Sequence, residues 1–116
     1  MGEATMAWES GPRDEREGLF GGRGRVTVHD RFAGQAKGPF QAALMCVLAP
    51  GGVVGRHRQE RFDELVIIVS GHGQAIVGPS QVALQAGEII HLPLGQSLSL
   101  HNGSDDEPLR YLIVKA

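Results

Sequence analysis

A chain of 116 residues, 41% of them hydrophobic, suffices for one domain with a single core and leaves little room for a second. Thirteen acidic and 11 basic residues leave a net charge of -2, which excludes a global field for a polyanion, and no apolar run approaches the roughly 18 residues of a membrane helix. A single cysteine excludes an intrachain disulfide framework and the start MGEATMAWES lacks a secretory pattern, so the expected location is cytoplasmic, with neither nucleic acid nor membrane as partner.

Residues 1–24 are polar and glycine-rich without a sustained period. They read as an N-terminal arm, either partly flexible or packing on a partner subunit, with Trp8 and the pair Leu19 and Phe20 as its apolar contacts. From residue 25 to 116 the pattern is that of one β domain. Arg25 to Phe32 opens with Val26 and Val28 on one face, Phe40 to Leu48 is apolar throughout, and Ala49-Pro50-Gly51-Gly52 stops it. After Glu64 to Ser70, a turn at Gly71-His72-Gly73 predicts a hairpin with Gln74 to Val77. Short segments follow at Val82 to Leu84, Glu88 to Leu92, Ser97 to Asn102 and Leu109 to Val114, separated by Gly, Pro and Asp turns. With 17 glycines, six prolines and no helical period, this makes an all-β chain of about eight or nine strands in a sandwich or barrel.

The chemistry concentrates in Gly51 to Gly71, GGVVGRHRQERFDELVIIVSG, which reads as an organising hairpin and where His57, Gln59 and Glu64 stand between a glycine turn and an apolar run. Strand alternation puts His57 and Gln59 on one face and Arg56 and Arg58 on the other. The cluster Arg56, Arg58 and Arg61, broken by Glu60 and Asp63 and lacking interleaved aromatics, reads as a solvated face. Cys46 sits inside AALMCVL and reads as a buried, inert thiol.

Gly51, His57, Glu64 and Gly71 fall in the register of the first motif of the cupin superfamily, and Gly87, Pro93, Gly95 and Asn102 in that of the second. The chain from about residue 38 onward therefore resembles a small single-domain cupin. The resemblance implies an antiparallel jelly-roll (double-stranded β-helix) barrel with an open mouth, paired into a homodimer. It also implies a divalent metal held by three histidines and a glutamate, and here two of those positions depart from the pattern. Gln59 and Leu98 replace histidines, leaving His57 and Glu64 as intact metal ligands, Gln59 as a weak one and Leu98 as none. His91 is a replacement ligand only if it faces the barrel, and His101 falls on the face opposite Leu98. His72 and His29 read as structural or solvated.

Three functions are compatible with this set. One is a metal-dependent oxygenase, isomerase, cyclase or lyase using His57, Gln59 and Glu64. Another is a metal-free binder of a small molecule, with His57 and Glu64 hydrogen-bonded as an acid-base pair. The last is a non-catalytic assembly unit whose barrel is filled by Leu98 and its neighbours. Leu98 adds apolar wall where a ligand is lost, which favours a small, partly apolar organic molecule bound by His57, Gln59, Glu64 and Leu98 over a degenerate metal site.

Overall fold

The computed structural model describes residues 7–116. Residues 1–6 and the Trp8 side chain, expected to anchor the arm, lie outside the described residues. Ten strands follow one another with no α-helix among the described residues: β1 (Arg13–Glu17), β2 (Arg25–Asp30), β3 (Ala42–Leu48), β4 (Val53–Arg58), β5 (Glu64–Ser70), β6 (His72–Val77), β7 (Ser80–Gln85), β8 (Ile89–Leu92), β9 (Ser97–Asn102) and β10 (Leu109–Lys115). They form two antiparallel sheets, one ordered β1-β2-β3-β10-β5-β8 and the other β4-β9-β6-β7. The all-β expectation holds, and the fold is a jelly-roll barrel.

The core lies between the sheets. Alternation supplies it from both sides, with Val26 on β2, Cys46 and Leu48 on β3, and Val66 and Ile68 on β5 facing Val54 on β4 and Leu98 and Leu100 on β9. Asn102, the last residue of β9, locks one end. Its Nδ2 lies within 3.1 Å of the Leu48 and Ala49 carbonyls and 2.8 Å from that of Glu107, while its Oδ1 accepts the Ser104 N–H at 2.9 Å. This satisfies the buried backbone where β3 ends and the loop to β10 begins.

Two pairing expectations are corrected. The predicted hairpin between Glu64–Ser70 and Gln74–Val77 does not form, because β5 pairs with β10 and β8 whereas β6 pairs with β7 and β9. Gly71, at φ 90°, turns the chain from one sheet into the other, and a Cβ there would stand 2.6 Å from the Pro108 carbonyl oxygen. The stretch Gly51 to Gly71 is likewise no hairpin, since β4 and β5 belong to different sheets.

Part of the arm is also built into the fold. β1, with sequence RDERE and exposed on both faces, pairs along its length with β2. Such a strand needs only backbone partners, and its charges blunt the sheet edge it forms.

Candidate functional site

A cavity of about 430 Å³ opens between the sheets at the end occupied by the β4–β5 loop. His57, Gln59, Glu64 and Leu98 all line it. His57 and Leu98 are direct partners across β4 and β9, and Leu98 is 2% exposed. A bulge makes this alignment. Val54 pairs with Leu100 and His57 with Leu98, so three steps along β4 match two along β9. Strict alternation from Val54 would have put Arg56 inside; the extra residue sends His57 inward instead.

The imidazole is fixed in two ways. Its Nδ1 lies 3.0 Å from the Gly55 carbonyl oxygen, which only accepts, so Nδ1 carries a proton and, in the neutral ring, Nε2 is the nitrogen with the lone pair. Its face stacks on Phe20, with ring centroids 4.0 Å apart and an interplanar angle of 13°. Phe20 belongs to a single 3-10 turn, Leu19–Gly21, that lies across β4. The approach depends on glycines facing each other: a Cβ on Gly55 would be 1.9 Å from the Phe20 carbonyl oxygen, and one on Gly22 would be 1.8 Å from that of Val53. Paired hydrogen bonds between the Arg23 and Val53 backbones, 2.9 and 2.8 Å, hold the turn down. Phe20 itself is a non-glycine residue at φ 54° and 54% exposed, so the turn holds it in a strained conformation over His57.

Glu64 is 3% exposed, and its Oε2 lies 3.2 Å from the Lys115 ammonium. The contact follows from register, because Lys115 is directly opposite Glu64 in the β10–β5 ladder and both point inward. The hydrogen bond expected between His57 and Glu64 is therefore not made; each has a different partner. Further down the wall Cys46 and Tyr111 are cross-strand neighbours, both buried. Burial, and then the charge of Glu64, pushes the Cys46 thiol up to about 12, as suits an inert group. Burial, and then the adjacent Cys46, raises the Tyr111 hydroxyl well above its ordinary value.

The structure does not bring His91 to this cavity. It lies on the exposed side of β8, where Nε2 is 3.3 Å from Asp63 Oδ2. The second oxygen of Asp63 accepts the Leu94 N–H at 3.0 Å, and these contacts hold its carboxyl below the ordinary range. His29, His72 and His101 also lie away from the cavity wall. Arg58 and Arg61, expected on a solvated face turned away from the pocket, also line the cavity, and the sequence reading missed Lys115 and the Phe20 contact with His57. Lys115 was visible in principle as the inward member of the alternation Leu109, Tyr111, Ile113, Lys115. Phe20 had only its place in an apolar pair to mark it, and its contact with His57 joins segments far apart in sequence.

A cupin domain model matches residues 44–115. The chain belongs to the cupin family. Among solved structures, this cupin is similar to a protein of Thermotoga maritima described as a predicted oxalate decarboxylase, with 22% identity, TM-score 0.80 and 97% of each chain covered. It is also similar to the Cnp3 cupin domain of Schizosaccharomyces pombe, at 14% identity and TM-score 0.71 over 89% of this chain and 67% of that one. A cupin 2 conserved barrel domain protein of Salinispora arenicola follows at 23% identity and TM-score 0.67, covering 78% and 74%. No curated protein matches the chain. At these identities the likeness is one of fold.

The donor set does not fit the divalent metal that the cupin pattern implies. The carboxylate that would bind it is already in contact with an ammonium, and beside it stand one imidazole and one neutral amide. No group of three or more His, Cys, Asp or Glu gathers among the described residues.

Proposed function

We propose that this cupin binds a small, partly apolar organic molecule in the cavity, held by protein side chains without a divalent metal. The observation that carries the reading is the open space of about 430 Å³, walled by Val28, Leu44, Leu98, Leu100 and Ile113, with His57, Gln59, Glu64 and Lys115 as polar groups and the exposed Arg58, Glu60 and Arg61 also lining it. Apolar walls with few convergent polar groups are the usual make-up of a small-molecule site. The space also speaks against a barrel packed solid as an assembly unit. A proton transfer at His57 is the second reading, favoured by the Nδ1 contact with Gly55, which leaves Nε2 as the basic nitrogen of the neutral ring in a residue that lines the cavity.

Elemental analysis combined with direct metal titration tests this. The wild-type protein should take up manganese, iron, nickel or zinc far below one equivalent. Leu98→His alone should gain little, because Lys115 still occupies Glu64; Leu98→His with Lys115→Met should bind substantially more tightly than either single variant. Stoichiometric metal in the wild type, lost in His57→Ala, would refute the metal-free reading.

A further inference from the structure

The polar groups that line the cavity select the end of the molecule it receives. Resting on the ligand-binding reading above, we propose that Lys115 anchors the ligand and that the anchored group is an uncharged carbonyl, as in an amide or ketone. An ammonium has three N–H donors, and the single carboxylate oxygen beside it, Glu64 Oε2 at 3.2 Å, can engage at most one of them. Glu64 is the single ion-pair partner of Lys115 among the described residues, and the Lys115 side chain is 30% exposed and lines the cavity. Donors therefore remain for an acceptor inside the space.

Arg58, Glu60 and Arg61 also line the cavity but are exposed to solvent, which screens them, so beside the ammonium the charge of the acceptor is set by the buried Glu64. Glu64 already neutralises Lys115, so a second carboxylate arriving at the ammonium would meet the Glu64 carboxylate at short range in a buried setting. A carbonyl oxygen accepts from Lys115 without that repulsion. His57 adds a second requirement, since its Nε2 accepts and does not donate in the neutral tautomer. A primary or secondary amide carries the complement of each group, an oxygen that accepts from Lys115 and an N–H that donates to His57.

The position of Lys115 is well held. Its neighbour Ala116 exchanges backbone hydrogen bonds of 3.1 and 2.9 Å with Asp63, and its own carbonyl accepts the Gln41 N–H at 2.7 Å. The final strand thus carries the ammonium on a rigid support, as a recognition element requires.

Four probes of one shape and different polarity test the idea by NMR titration of the full chain: benzamide, benzoate, benzamidinium and toluene. Benzamide should bind about tenfold more tightly than benzoate or toluene, a difference on the scale of one hydrogen bond to a charged group, and benzamidinium should bind most weakly. Lys115→Met alone strands a buried carboxylate, so the informative variant is Glu64→Gln with Lys115→Met, in which benzamide should fall to the level of toluene. Equal binding of toluene and benzamide, or tighter binding of benzoate, in the wild-type protein overturns the carbonyl assignment while leaving ligand binding in place. Unchanged benzamide affinity in the double variant overturns the role of Lys115. Failure of all four probes removes the ligand-binding reading and this inference together.

Discussion

Cys46 and Tyr111 face each other across β3 and β10 at the base of the cavity, and both are acids whose charged forms burial disfavours. An unfolded thiol gives up its proton near 9.0, whereas the folded one holds it to about 12. Between those values the folded state binds more protons, so stability is complete below pH 9 and falls as pH rises. Tyr111 adds a loss in the same direction beginning near its ordinary value of 10.0. Urea unfolding followed from pH 7 to 11 should therefore show midpoints that decline above pH 9. Cys46→Ala lowers stability throughout by leaving a small void, yet should flatten the decline; an unaltered slope would mean that another group titrates there. For the same reason alkylating reagents should modify Cys46 at the rate of unfolding.

Among the elements, the turn at Leu19–Gly21 depends on the bare face of Gly55. Gly55→Ala places a Cβ against a backbone oxygen that has nowhere flexible to go, so the turn must lift. The expected cost is about 1–3 kcal/mol in denaturant unfolding, as for other forced overpacking, together with loss of the Phe20 to His57 ring contact in proton NMR. Retention of both the contact and the stability would show that the turn is held by something else. These contacts also mark how far the sequence is readable. Periodicity in β2 to β10 and glycine-proline punctuation marked the strands, because both are local properties of a half-buried strand. The set His57, Gln59, Glu64 and Leu98 was marked instead by the cupin motif spacing, since the bulge in β4 breaks the alternation that would have led inward to Arg56. Pairing partners are long-range, so Gly71 was legible as a turn but its crossing between sheets was not. β1 has no buried face and left no pattern; Lys115 gained meaning only once β10 was set in register against β5.

For the molecule as a whole, the segment 13–24 supplies an outer strand and part of the cavity wall. A chain beginning at Arg25 should lose about 1–2 kcal/mol, chiefly from half-buried Leu19 and the Phe20 contact. It should also self-associate with rising concentration, because the β2 edge is stripped of its charged cover. Sedimentation velocity of the full and shortened chains distinguishes these states, and identical profiles at all concentrations would argue that β1 protects nothing.

His57 stands on one sheet and Glu64 on the other, joined through the chain only by the β4–β5 loop. The bore of the cavity is therefore the spacing of two layers, set by side chains such as Ala75 and Leu84 deep in the core. Size discrimination is thus inherited from the packing that keeps the layers apart. A change of one methylene far below the mouth would rescale the aperture without touching any residue that meets the ligand.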